Sequence, residues 1–333
     1  MSKPTCLVVL SPDHAPFFYG SDEWTALSER VELLCDRPLS ATEALADPGR
    51  LSRVEILFSG WGGIALTNEL VPRLPRLRAV FFAGGTIKGQ VSDAFWARAV
   101  PLVSAASANA RPVAEYTLAA LVFGLKGFVP RAAALHAGEP WGQSRAWPGT
   151  YRTTVGLVSF GAIAREVRRL LGSFSVDVLV HDPYLTADQA RAHDVTPVSL
   201  DELFSHSHAV SIHAPSLPET AKMIRAEHLL LLPAHATFIN SARGAVIDES
   251  GLVSALRARP DIQAFIDVTS PEPPPSDSPL RSLPNVFLTP HVAGSIGNEC
   301  RRMTHLLIAE LDEFLANRPL HHAVRQADYA ISA

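Results

Sequence analysis

The sequence predicts an α/β protein built from two doubly wound parallel-sheet domains separated by a cleft. Three observations lead there. Ten short apolar runs recur along the chain: "CLVVL", "VEILFS", "LRAVFFAG" and "PLVSAA", then "TVGLV", "VDVLVH", "AVSIHAP", "ATFINSA", "IQAFIDV" and "NVFLTPH". They are apolar throughout rather than at every second residue, as in strands buried on both faces of a parallel sheet. Helical patterns alternate with them, giving the βαβα order that such sheets require. Finally, 333 residues exceed the size at which a single core stops growing, so two domains of roughly 150 residues each are expected.

The elements follow in order. The first four runs form one sheet unit. The segment "ANARPVAEYTLAALVFGLKGFVPRAAALHAGEPW" then reads as one long connecting helix, with Pro112 tolerable in a first turn that follows Asn109. The remaining runs form the second sheet. Within it, Ser199 and Glu202 in "SLDELF" make a capping-box pattern, and Asp248 is placed to cap "ESGLVSALRAR". The proline-rich "SPEPPPSDSPL" lies between two strand patterns and reads as an ordered loop. After "LTPHVAG" one more helix pattern, "NECRRMTHLLIAELDEFLAN", is closed by Pro319.

Composition narrows the function. With 47% hydrophobic and 19% charged residues, the chain has ample material for cores. A formal charge of -4 without long basic runs offers no electrostatic footprint for nucleic acid or an anionic membrane, so small molecules are the expected partners. Cys6, Cys35 and Cys300 lie far apart, without metal-ligand spacing; no metal is expected, and a reducing cytoplasm fits. The apolar run near the N-terminus is too short for a signal peptide. "YTLAALVFGL" falls well below the roughly 20 residues of a membrane span and reads as a buried helix.

The first chemical signal is "TVGLVSFGAIAREV", Thr154 to Val167. A Rossmann-like turn needs a tight bend, a backbone close to a pyrophosphate, and close packing of helix on strand, each served by one glycine of G-x-G-x-x-G. Ser159 takes the first place, Gly161 the second and Ala164 the third, where alanine is an accepted variant. Ala162 and Ile163 complete the turn. Ser159 is the departure, and its hydroxyl stands to bond a phosphate or a local amide. The strand "VDVLVH" then ends at Asp182, 21 residues beyond Gly161, where an acid meets the adenine-ribose hydroxyls. A carboxylate there favours NAD over NADP, whose 2'-phosphate would meet a like charge.

Three further strand ends carry polar side chains: Arg243 in "INSARGAVIDE", Glu272 in "IDVTSPEPPPSDSPL" and His291 in "LTPHVAGS". Open α/β sheets gather their ligands at such ends. Singly, these read as a surface arginine, a solvated loop acid and one of 13 histidines; jointly, behind a nucleotide turn, they read as a catalytic set.

From about Leu77 to Leu320 these motifs, in this order, resemble the D-isomer-specific 2-hydroxyacid dehydrogenases. The resemblance implies two doubly wound domains, Rossmann-like and flavodoxin-like, and hydride transfer between NAD(H) and a 2-oxo or (R)-2-hydroxy acid. It also implies that Arg243 holds the substrate carboxylate and carbonyl, that His291 is the acid/base, and that Glu272 pairs with and orients His291. Asp267 resembles the residue at the nicotinamide end of the cofactor, and Ala242 joins the cofactor-binding set. Asn109 matches a position near the nicotinamide and the domain hinge. His213 and Pro215 resemble the loop covering the cofactor. By the same resemblance, residues 1–102 plus 292–333 form the substrate domain, residues 103–291 form the NAD-binding domain, and a homodimer is expected.

The substrate loop "FAGGTIKGQVSD" departs from the family pattern after its glycine pair. Gly84, Gly85 and Thr86 offer backbone amides to a carboxylate, Lys88 stands to reach an anionic distal group, and Trp61 in "SGWGG" stands to face the cleft. Two other functions fit the scaffold. Formate dehydrogenases typically pair the histidine with an amide, so Glu272 argues against that activity. A cofactor-sensing regulator is disfavoured by the retention of all three catalytic side chains.

Overall fold

The structure is a computed structural model that describes residues 3–141 and 146–329. Among the described residues there are twelve strands: β1 (Thr5–Val9), β2 (Glu32–Leu33), β3 (Ile56–Gly60), β4 (Ala79–Ala83), β5 (Leu102–Ser104), β6 (Tyr151–Val158), β7 (Ser175–His181), β8 (Thr196–Pro197), β9 (Ala209–Ile212), β10 (Thr237–Asn240), β11 (Gln263–Ile266) and β12 (Val286–Leu288). All ten apolar runs are strands. The other two, β2 and β8, have two residues each and carry too little pattern to be read from sequence.

The first compact unit comprises residues 1–110 and 295–333. Its parallel sheet has the order β2-β1-β3-β4-β5, the flavodoxin-like arrangement. Alternation along β1 shows why the run is apolar throughout. Cys6 and Val8 enter a core with Phe58, Phe81 and the C-terminal helix Cys300–Leu315, whereas Leu7 and Val9 enter a second core with Leu57, Val80 and Phe95. Each face of the sheet therefore has its own cover. The helix Cys300–Leu315 presents Cys300, Met303, Leu307 and Leu311, spaced by three or four residues, as one apolar stripe.

The second unit, residues 111–294, holds a seven-stranded parallel sheet ordered β12-β11-β10-β9-β6-β7-β8. Counted from β6, this is the Rossmann order extended by one strand, and the direction of winding reverses between β6 and β9. Phe238 on β10 and Ala264 and Ile266 on β11 enter one core, while Ile239 and Phe265 enter the other.

The unit boundaries differ from the expected 102/103 and 291/292. β5 pairs with β4, so the first unit continues into the following helix. Residues 292 and 293 give their amides to Asp267 and so stay with the second unit. The long connecting helix is two helices, Ala106–Leu125 and Phe128–His136, broken at Gly127 with φ of +58°. Pro112 lies inside the first of these rather than in its first turn, because the helix already starts at Ala106, where the Ser104 hydroxyl accepts the amide. No single helix among the described residues is long and apolar enough to cross a membrane; the bent pair passes by length and composition only. No cluster of three or more metal-ligand side chains occurs among those residues either.

One expected cap forms and one does not. Ser199 Oγ accepts the Glu202 amide at 3.3 Å, and the Glu202 carboxylate accepts the Ser199 amide at 3.0 Å. Asp248 occupies the N-cap position of Glu249–Ala258 but makes no side-chain cap; its Oδ1 accepts the Ser250 hydroxyl instead. Ser199→Ala should therefore cost about 1 kcal/mol and lower Tm by about 2–4 °C in a calorimetric scan, whereas Asp248→Ala should move it less.

Candidate active site

The turn after β6 shows how the chain manages without its first glycine. Ser159 has φ of +72°, in the left-handed region that costs an L-residue roughly 1–2 kcal/mol. Two contacts hold it there: its hydroxyl lies 3.3 Å from Asp182 Oδ2, and the same oxygen accepts the Phe160 amide at 2.7 Å. Asp182, just past β7, thus braces the turn from across the sheet, while its Oδ1 accepts the Tyr184 amide at 2.7 Å. Three of its roughly four lone-pair positions are used, and one remains for an outside hydroxyl.

Gly161 behaves differently. Its φ of -75° suits any residue, and a Cβ placed on it would meet no heavy atom within 4 Å. Neither backbone conformation nor packing within the chain explains a glycine here. What remains is room for a ligand against the start of the helix Ala162–Leu170, whose N-cap position makes no side-chain cap. Ala162 is exposed at that start, Ile163 packs partly into the core, and Ala164 is fully buried against the sheet.

His213 lies just past β9, next to β6 in the sheet, and its amide bonds to Val158 O. The side chain is buried, and neither ring nitrogen has a hydrogen-bond partner. Burial pushes its pKa down to about 3, so the imidazole is neutral. Pro215 follows, its carbonyl accepting the Thr220 hydroxyl at 2.6 Å. An uncapped helix start, an open glycine, an acid at the next strand end and a buried imidazole with unused nitrogens together fit a dinucleotide at the point where the sheet reverses.

On the other side of the reversal, the loops after β10, β11 and β12 deliver three polar side chains, Arg243, Glu272 and His291. Asn240, fully buried, accepts the Ala242 amide at 3.1 Å and donates to Arg243 O at 3.2 Å, which shapes the loop carrying Arg243. The next residue must be glycine: a Cβ on Gly244 would fall 2.1 Å from the Thr269 carbonyl. That close approach sets the Arg243 loop against the loop that carries Glu272. Burial pushes the Arg243 guanidinium below its ordinary value, and the Glu272 charge opposes this. His291 Nδ1 meets Glu272 Oε1 at 2.6 Å, with both side chains about half exposed. An imidazole held through Nδ1 by a carboxylate has Nε2 left to work with.

His291 itself has φ of +55°. The residues around it are gripped by Asp267, which is 2% exposed: its carboxylate accepts Thr289 Oγ1 at 2.6 Å and the amides of Val292 and Ala293 at 2.8 and 2.9 Å. The carboxylate of Asp267, expected at the nicotinamide end of a cofactor, accepts three donors from the turn that carries His291. Tyr116, Thr289, Asn240 and Gly244 were not singled out from the sequence. For Asn240, Gly244 and Thr289 the only signal was their place beside "ARG" and "PH"; Tyr116 carried none.

In the first unit, Trp61, Gly84, Gly85 and Asn109 come together. A Cβ on Gly84 would lie 3.3 Å from Trp61 Nε1, and one on Gly85 would lie 3.0 Å from Asn109 Nδ2. Asn109 Oδ1 accepts the Ser295 amide at 3.0 Å. Trp61 packs edge-on against His14 and Phe18. Thr86 Oγ1 accepts the Lys88 amide at 3.2 Å.

Residues 118–293 match the family model described as the NAD binding domain of D-isomer specific 2-hydroxyacid dehydrogenases. The chain belongs to the D-isomer-specific 2-hydroxyacid dehydrogenase family. It is 32% identical to an (S)-sulfolactate dehydrogenase of Chromohalobacter salexigens over 80% of this chain and 89% of that one. It is 33% identical to a D-3-phosphoglycerate dehydrogenase of Mycobacterium tuberculosis over 68% of this chain but only 43% of that one, so it spans less than half of this relative. Among solved structures, a phosphoglycerate oxidoreductase from Rhizobium etli superposes with a TM-score of 0.82 at 23% identity, covering 97% of this chain and 98% of that one, which shows the shared fold. This family member is accordingly an oxidoreductase with a nucleotide cofactor and small 2-hydroxy or 2-oxo acid substrates.

The buried His213 makes stability depend on pH. Its pKa is about 3 when folded, against 6.5 for an ordinary histidine, so the unfolded chain takes up a proton first as pH falls. The stabilisation is complete above 6.5 and is lost as pH drops toward 3. Between pH 7 and pH 5 the cofactor-free protein should lose up to about 2 kcal/mol from this group. Urea titrations at the two pH values should show a smaller difference in His213→Phe.

Proposed function

We propose that this dehydrogenase interconverts a 2-oxo acid and an (R)-2-hydroxy acid using NAD. The observation that carries the reading is the 2.6 Å contact between His291 Nδ1 and Glu272, beside the partly buried Arg243. When bound, the nicotinamide supplies the hydride for reduction and takes it back in oxidation. Arg243 binds the substrate carboxylate and carbonyl, a task suited to a planar, two-pronged donor. His291 gives a proton from Nε2 to the carbonyl oxygen in reduction and removes it from the hydroxyl in oxidation. Glu272 fixes the tautomer by accepting from Nδ1 and balances the imidazolium charge.

Ser159, Gly161, Ala162 and Ile163 would hold the pyrophosphate, Asp182 the adenosine ribose, and His213, Pro215, Ala242, Asp267 and Asn109 the rest of the cofactor. The remaining acceptor position on Asp182 supports NAD, since a 2'-phosphate would meet its negative charge. Gly84, Gly85, Thr86, Trp61 and Lys88 would contact the substrate. The named substrates of the two relatives carry a sulfonate or a phosphate beyond the 2-hydroxy acid, which supports a substrate with a second anionic group, with Lys88 as its counter-charge. A second copy of this chain is the expected partner. Phe123 and Phe128, stacked 4.5 Å apart and 45% and 52% exposed, offer an apolar face for it.

The test is a panel of 2-oxo acids, with and without a phosphate or sulfonate, followed by NADH absorbance. At least one member should be reduced, and His291→Ala should lower both directions by about 10²–10⁴-fold while leaving NADH binding intact. Glu272→Gln should lower both directions by less. Near-normal turnover in His291→Ala would remove it from the proton step.

Cofactor choice is a separate measurement. NADH should exceed NADPH in kcat/KM by the equivalent of about 1–3 kcal/mol, and Asp182→Ala should narrow the gap. Equal efficiency in the unmodified enzyme would overturn the assignment of NAD.

A further inference from the structure

His291 is a non-glycine residue in the left-handed region, and such a residue stays there only when its surroundings over-determine it. Beside the bonds of its amide to Thr289 O and of its ring to Glu272, the contacts that do so converge on Asp267. The Asp267 carbonyl accepts the His291 amide at 3.0 Å, and its carboxylate takes Thr289 Oγ1, Val292 N and Ala293 N. The chain before and after His291 is thus pinned to one buried group at the end of β11.

The Thr289 proton is committed to the carboxylate at 2.6 Å, so its oxygen accepts from Tyr116, whose hydroxyl lies 3.0 Å away. Tyr116 is itself fixed. Its helix, Ala106–Leu125, is tied to the start of β11 eight residues later, where Gly124 O accepts Gln263 Nε2 at 3.0 Å in a buried bond. Eight helical residues rise about 12 Å, close to the length of a four-residue strand. The helix is therefore fastened near one end of β11 through Gln263 and near the other through Tyr116.

We propose that Tyr116 and Thr289 are positioning residues for the reaction, holding the turn in which His291 meets Glu272 by way of the Asp267 carboxylate. The inference rests on the reading of His291 as the acid/base. Neither hydroxyl touches His291. Removing the Thr289 hydroxyl leaves Asp267 Oδ1 with one donor fewer and Tyr116 without its acceptor, and the left-handed turn loses part of what holds it. The imidazole then drifts from its carboxylate, and proton delivery slows while the cofactor turn, on other strands, is undisturbed.

The experiment compares Thr289→Val, Thr289→Ser and Tyr116→Phe with the unmodified enzyme, on the best acid of the panel and well below each Tm. Thr289→Val should lower kcat by about 10²-fold in both directions, the scale of a misplaced catalytic group. The NADH dissociation constant, read by fluorescence, should not change. The solvent deuterium isotope effect on kcat should rise, because proton delivery becomes slower relative to hydride transfer. Thr289→Ser should recover most of the rate, and Tyr116→Phe should lose less than Thr289→Val. The double variant should be no worse than Thr289→Val alone, as for residues acting in one chain. A crystal structure of Thr289→Val should show His291 out of the left-handed region and Nδ1 beyond hydrogen-bond reach of Glu272. A normal kcat, an unmoved isotope effect, failure of serine to rescue, or an unchanged His291 turn would each overturn the proposal. If Thr289→Val does not fold, Tyr116→Phe, which removes one oxygen, carries the same readouts. His291→Ala separates the two ideas: normal turnover there sinks the acid/base reading, whereas loss there with normal turnover in Thr289→Val sinks only the positioning.

Discussion

A carboxylate buried at the end of a parallel strand is costly to leave unpaired, and its effective desolvation penalty amounts to several kcal/mol. Asp267 is such a group, and the turn from Thr289 to Ala293 meets its needs by aiming a hydroxyl and two amides at it. That requirement dictates the conformation of the turn. His291, in its middle, takes a backbone angle it would not adopt by itself, and its side chain reaches Glu272 as a result. The strength of the clamp lies in the geometry of three donors on one anion, which a neutral residue at 267 would not reproduce.

The parallel sheets explain why the polar groups collect as they do. Where both faces of a strand are buried, as along β9, β10 and β11, the acidic, basic and imidazole side chains gather past the strand end. Asp182, His213, Arg243, Asp267 and His291 all lie just beyond the C-terminal ends of their strands, and Glu272 lies in the loop after β11. The loops between are held by polar groups internal to the chain, such as Asn240 bonding back to residues 242 and 243. Gly244 lets two of these loops touch backbone to backbone, and any side chain there would force them apart.

Ser159 shows how a departure from a motif is accommodated. The first glycine of a dinucleotide turn supplies a backbone conformation, and serine adopts the same conformation at some cost in strain. The Asp182 carboxylate offsets part of that cost through the Phe160 amide and the serine hydroxyl. One acid thereby braces the turn through both of its oxygens. The second glycine, Gly161, meets no such demand within the chain: its φ is ordinary and a Cβ there would meet no heavy atom within 4 Å.

Much of this was legible in the residues alone. Ten of the twelve strands, the capping box at Ser199, and the strand-end positions of Arg243, Glu272 and His291 follow from patterns within a few residues, since periodicity and capping are local physics. Other features depended on partners far away in the chain. Where the units divide was set by the pairing of β5 with β4 and by the amides given to Asp267. The early start of the Pro112 helix and its end at Gly127 also emerged only from the folded chain. Asp248 had the right residue type for a cap and spent it on Ser250 instead. Tyr116 read as one more buried helix residue, yet its hydroxyl meets a threonine 173 positions later. No local pattern records such a contact, because the hydrogen bond exists only after the helix has packed along the sheet.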